Sequence, residues 1–174
     1  MMRESSRVAF RAQLVIADQR QLFDYWLDRA AGAPMPARSD IRPGDIPHLL
    51  PSISLIEIHR SSWRFRFRLA GTRIRDIYDR EVTGLYLDEI DWGGRADYWH
   101  AAHQRVAETA DPAQGVVRSP RAAKDHLVHF WLRLPLATDG PQASVILGYD
   151  VSVPVSDMPG VVEASAFSPA AAIG

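Results

Sequence analysis

LPSISLIEIHRSSWRFRFRLAGTRIRDIYDREVTGLYLDEI, residues 50–90, decides the fold. Ser52 to His59 is rich in Ile and Leu, Ser61-Ser62 makes a short polar break, and Trp63 to Leu69 alternates without exception. Trp63, Phe65, Phe67 and Leu69 fall to one side; Arg64, Arg66 and Arg68 fall to the other. Period-two alternation is the signature of a strand with one buried face. Two strands joined by a tight turn are therefore predicted. Gly71 ends the second, and Thr72 is placed to cap a helix that starts at Arg73.

Outward from this core the chain is punctuated. Upstream, Asp18 to Ala31 predicts an amphipathic helix: Leu22, Phe23, Trp26, Leu27 and Ala30 share a stripe, and Gly32 stops it. Pro34, Pro36, Pro43, Pro47 and Pro51 exclude a helix through residues 35–50, which read as an extended connector. Downstream, Leu85 to Ile90 reads as a short helix or turn, and Gly93-Gly94 precedes a long helix over about Arg95 to Ala110. Three strands follow at Gln114–Ser119, His126–Leu136 and Ala143–Val153, the last two joined by Asp139-Gly140-Pro141. The chain thus divides into an N-terminal helix and lead (1–34), the connector (35–50), a domain (51–153), and an Ala/Ser/Pro-rich tail (154–174) that is expected to be loosely held.

FRLAGTRIRDIYDREVTG, with LLPSISLIEI before it, resembles the single-domain bacterial PAS proteins. Arg68 to Thr72 matches their arginine-leucine-small-glycine-threonine signature, Asp79 to Gly84 their charged turn ending in Thr-Gly, and Met35 to Pro51 their proline-punctuated lead-in. The resemblance runs roughly from Asp18 to Val153. It implies an α+β fold with a five-stranded antiparallel sheet, helices on one face, and an N-terminal helix packed outside. It also implies a sensory or regulatory role in signal transduction, through a small ligand or a partner protein, without catalysis.

Composition narrows the chemistry. The chain has 174 residues, 47% hydrophobic and 24% charged, which suits one globular domain and excludes a disordered tail protein. Net charge is −1 with no basic run, so no broad attraction to nucleic acid is expected. There is no cysteine, which removes disulfides, thiolate metal sites, cysteine nucleophiles and cysteine–flavin adducts. No segment approaches the roughly 20 apolar residues of a membrane span, and no leader is evident, so a cytoplasmic location is expected.

Candidate site residues follow from the element assignment. A pocket between the inner sheet face and the helices is expected to be lined by Phe67, Tyr78, Trp99, His103, Phe130 and Leu132. It would take a small, mostly apolar ligand held by a few polar groups; the competing reading is that these side chains simply fill the core. Haem-binding relatives draw their iron ligand from the helix that holds His100 and His103. His103 is the better candidate of the two, on the flank of the Trp99–Ala102–Val106 stripe, but the reading here is that no cofactor and no metal is held. On the fourth strand, Val128, Phe130, Leu132 and Leu134 are assigned to the inner face and His129, Trp131 and Arg133 to the outer. The acidic Asp88, Glu89 and Asp91 read as a solvated turn. The arginine row is expected to meet Asp18, Asp24 and Asp28 of the N-terminal helix. Leu22, Phe23, Trp26 and Leu27 must bury their stripe on the chain's own sheet, on a second copy, or on both, so a homodimer is expected. A separate signalling protein is the expected recipient of the output. The alternative function is a small cone-shaped α+β enzyme, an isomerase or dehydratase, which would need a buried acid or Asp–His pair beside Tyr78 or Trp99.

Overall fold

The alternating run forms β2 (Arg64–Ala70), paired antiparallel with β1 (Ile53–His59). The computed structural model describes residues 2–119 and 122–158, so residues 159–174 of the tail lie outside the described residues. Three further strands complete the sheet: β3 (Ala113–Arg118), β4 (Leu127–Leu136) and β5 (Val145–Pro154). Their order is β2-β1-β5-β4-β3, every neighbouring pair antiparallel. This is the expected α+β class. The edge of β2 is not bare: Phe67 N–H donates to the Leu85 carbonyl at 2.9 Å, and Gly84 N–H to the Phe67 carbonyl at 2.7 Å. That pairing blunts an edge open to aggregation.

One face of the sheet, the inner one, carries α3 (Thr72–Tyr78) and α4 (Ala96–Thr109). Gly71, not Thr72, is the N-cap of α3. A Cβ at Gly71 would lie 2.3 Å from the Leu50 carbonyl oxygen, so the signature glycine lets the start of α3 close onto the lead-in. The outer face carries α1 (Glu4–Gln13) and α2 (Ala17–Ala30). No helix was expected over α1: its only buried residue is Phe10, too little apolar periodicity to mark it. Leu22, Phe23 and Trp26 of α2 are buried against Leu55, Leu132, Leu134, Leu136, Leu147 and Tyr149, with Leu27 partly buried beside them. Trp26 Nε1–H donates to the Pro135 carbonyl at 2.9 Å, and Tyr149 O–H to Asp18 at 3.2 Å. The α2 stripe is thus spent within the chain, and Asp18 lies in the first turn of the helix.

Three sequence expectations are corrected here. First, β4 is turned over: Val128, Phe130, Leu132 and Leu134 face α1, α2 and their surroundings, while His129, Trp131 and Arg133 face inward. Nine of its ten residues are buried, so a polar–apolar contrast between its two faces could not set the phase. Second, the β1–β2 register shifts between Leu55 and Ile56, pairing Leu55 with Leu69 but Ile56 with Phe67. Arg68 is the extra residue of a bulge, and Leu69 leaves the Phe65–Phe67 face to stand 48% exposed. Third, the arginine row does not reach the N-terminal helix. Arg64 makes two hydrogen bonds to Asp88 at 2.7 and 2.8 Å, Arg66 donates to the Gly84 carbonyl, and Arg68 pairs with Glu57. Asp24 pairs instead with Arg11 of α1.

Candidate functional site

The inner sheet face buries a polar network rather than an all-apolar core. β4 contributes His129 and Arg133, β5 contributes Asp150, α3 contributes Tyr78 and α4 contributes His103. Arg133 and Asp150 are both fully buried and joined by two hydrogen bonds, Nη1 to Oδ2 at 2.9 Å and Nη2 to Oδ1 at 3.0 Å. His129 Nε2 lies 2.7 Å from Asp150 Oδ1, and Tyr78 O–H donates to the same oxygen at 3.2 Å. Arg133 Nε–H donates to His103 Nε2 at 3.1 Å, and His103 Nδ1 lies 2.7 Å from the Trp99 carbonyl. The guanidinium fits because Gly148 stands opposite Arg133 on β5. A Cβ there would sit 3.2 Å from Nη1 and 2.3 Å from Ser54 Oγ.

The charges are balanced inside this network. Burial alone would raise the Asp150 carboxyl; the Arg133 guanidinium and the His129 hydrogen bond override it and hold the group well below the ordinary carboxylate range. Burial, then the neighbouring Arg133 charge, pushes His103 down to about 3, so it is neutral. A neutral His103 that accepts from Arg133 at Nε2 must carry its proton on Nδ1 and donate it to Trp99. Burial, then the Asp150 charge, raises the Tyr78 hydroxyl well above its usual value, which keeps it a donor.

Above the network opens a cleft of about 150 Å³. Tyr78, Trp92, Trp99 and Val117 form apolar walls, and His129 and Ser152, which face each other across β4 and β5, supply polar groups. The His129 side chain is 7% exposed. Its Nε2 is held by Asp150; its Nδ1 has no hydrogen-bond partner among the described residues, yet is not sealed from the cleft. At the mouth, Lys124 reaches from the β3–β4 connection to the Asp76 carbonyl and the Asp79 carboxylate, each at 2.5 Å. Arg95 lines the cleft with no ion pair among the described residues.

Of the pocket residues named from sequence, Tyr78 and Trp99 line this cleft. Phe67 lies behind, its ring 6.3 Å from that of Tyr78. His103 is in the network beneath, at the middle of the buried α4 face rather than on its flank, with both ring nitrogens engaged. Phe130 and Leu132 are on the opposite sheet face and reach neither, a direct consequence of the inverted β4 phase. His129, Arg133 and Asp150 were missed as a set. The sequence signal was present, since a His and an Arg with the same parity on an otherwise apolar strand ask for a partner, but Asp150 lies on another strand. His100 is exposed and contacts the Trp63 carbonyl at 3.0 Å; it shares no ligand with His103. The acidic turn is occupied structurally: Asp88 by Arg64, Glu89 by the Tyr86 N–H, Asp91 by the Gly93 N–H. Among the described residues no group of three or more His, Asp or Glu side chains is placed to hold a metal ion, and no helix is long and apolar enough to cross a membrane.

A five-stranded antiparallel sheet with helices on one face is the arrangement expected from the element order of the chain; its strand order, 2-1-5-4-3, comes from the structure. A search among curated proteins found no match. A family model described as a PAS domain matches residues 16–150, from the start of α2 to Asp150 itself. The chain belongs to the PAS domain family.

Proposed function

We propose that this chain is a PAS module that binds a small, mostly apolar ligand in the cleft above His129 and passes its occupancy to a separate signalling protein. PAS domains are in general sensory or regulatory and not catalytic. The observation that carries the reading is His129. A side chain 93% removed from solvent, held at one nitrogen and open to a cleft at the other, is a polar anchor awaiting a partner. Aromatic walls with one or two convergent polar groups are the usual composition of a small-molecule site. A bound ligand would also touch α3 through Tyr78 and α4 through Trp99, both tied to the network beneath. Val117→Phe tests this by filling the cleft from β3 without altering a polar group. Compounds from a fragment library that raise the melting temperature of the unaltered chain should lose that effect in the variant. If none stabilises the unaltered chain, or if they act equally on both, the cleft is not a ligand site.

The proposal includes no haem. Ligation through His103 would have to break its contact with Arg133 and strip a buried guanidinium of one acceptor. It also includes a cytoplasmic location and a homodimer, the latter on altered grounds. The outer sheet face is covered by the chain's own helices, so a second copy would meet the outward side of α1, where Val8 is 67% exposed.

A catalytic reading has one observation in its favour: Asp150 backs His129 beside a cleft that also holds Ser152, an order that can serve a general base. Two features weigh against it. Asp150 already answers the charge of Arg133, and no hydrogen bond joins Ser152 to His129 among the described residues. The cone-shaped fold that prompted an enzyme is replaced by the sheet order reported above. Hydrolysis of a simple activated ester, abolished by His129→Ala, would favour catalysis.

A further inference from the structure

Resting on the cleft reading, we infer that the ligand is a neutral single-ring aromatic bearing a hydroxyl group, of the phenol class, with the hydroxyl seated between His129 and Ser152. Size comes first. A largely apolar cavity of about 150 Å³ accommodates roughly one six-membered ring. Shape comes next: Trp92 and Trp99 have ring centroids 5.1 Å apart with planes 34° from parallel, and Tyr78 meets Trp92 edge-on at 5.1 Å. Flat faces and edges of this kind receive a planar ring in offset or edge contact.

The polar groups choose the substituent. The Asp150 carboxylate is an acceptor, held ionised by Arg133, so when the His129 ring carries one proton that proton sits on Nε2. Nδ1 then shows a lone pair to the cleft. Ser152 stands directly across the β4–β5 pair and lines the same cleft, and its hydroxyl has no hydrogen-bond partner among the described residues. One acceptor beside one rotatable donor matches a hydroxyl, which gives one hydrogen bond and takes another. A carboxylate seated between His129 and Ser152 would face the Nδ1 lone pair; Arg95, which lines the same cleft, is the group an anion would use instead, and benzoate tests that alternative.

Calorimetric titration of the full chain with phenol, toluene and benzoate separates the cases, since the three share a ring and differ in the group presented. Phenol should bind one-to-one, at least about tenfold tighter than toluene or benzoate, because a lost hydrogen bond leaves the nearly buried His129 unpaired. The His129 Nδ1 nitrogen resonance should move upfield as phenol is added, with little movement on adding toluene. Ser152→Ala should weaken phenol about threefold to tenfold and leave toluene unchanged. His129→Gln should abolish the preference for phenol; should that variant not fold, the phenol-to-toluene ratio and Ser152→Ala still decide. Toluene binding as well as phenol, or benzoate binding better, overturns the ligand class while leaving the cleft as a site. Absence of binding by all three overturns the inference, and the cleft reading too if Val117→Phe also abolishes no fragment's effect.

Discussion

Asp150→Asn probes the buried ion pair at the centre of the inner face. The substitution keeps shape and one acceptor oxygen but removes the charge that answers Arg133, in a place where both side chains have no exposure. Two unit charges at about 4 Å in an effective dielectric of about 20 attract by about 4 kcal/mol. Breaking a buried pair by removing one partner costs about 3–5 kcal/mol, because the other charge stays in the core. The two figures agree, and against a total stability of about 5–15 kcal/mol the loss is large without forbidding folding. Urea denaturation followed by tryptophan fluorescence gives the value directly, Trp99 and Trp131 lying about 5.7 Å from the guanidinium. Arg133→Met should also destabilise, while Arg133→Met with Asp150→Leu should recover most of the loss, since an apolar pair of similar volume often replaces a buried salt bridge at little cost. Closed with Asp150→Leu as the second single variant, the cycle yields a strongly favourable coupling. A cost below about 1 kcal/mol for Asp150→Asn, or additive single variants, would mean that water reaches the pair despite its burial.

Three further outcomes are expected. Trp26→Ala should cost about 3–5 kcal/mol in the same denaturation assay, as the ring is 1% exposed and its N–H is bonded to Pro135; a cost near 1 kcal/mol would show that α2 detaches easily from the sheet. Stability should fall on acidification through His103: the unfolded residue takes a proton below about 6.5, whereas the folded one refuses it down to about 3. The unfolded state therefore binds more protons in that window, and stability drops by up to about 1.4 kcal/mol per pH unit as pH is lowered. Urea midpoints between pH 7 and 4 should show this slope, and His103→Gln should flatten it; the lowered carboxyl of Asp150 adds a loss only below the ordinary Asp range near 4, as pH falls toward its folded value. Removing residues 1–33 bares Leu132, Leu134, Leu136 and Leu147 on the outer face, so light scattering on the shortened chain should show large aggregates; a well-dispersed monomer or dimer would contradict the packing role of α1 and α2.

Local pattern was enough for the element order. Arg64–Ala70 alternates, Ala17–Ala30 repeats with helical period and ends before Gly32, and Ala96–Thr109 follows a double glycine; each of these signals acts between residues a few positions apart. The succession of two strands, helices and three strands, with the RLAGT signature, is enough to point to the family from sequence alone. What local pattern could not carry is the interior of the site. β4 is buried on both faces, so period-two contrast vanishes where it was needed, and Arg133 and His129 looked like outward residues because a lone charge belongs in water. They are inside because Asp150, 17 residues beyond Arg133 and 21 beyond His129, comes alongside only when β5 pairs with β4. The bulge that turns Leu69 outward likewise exists only as a mismatch between two strands. Tertiary structure decided the site because a buried charge is tolerable only beside its counter-charge, and in this fold the two arrive from different strands.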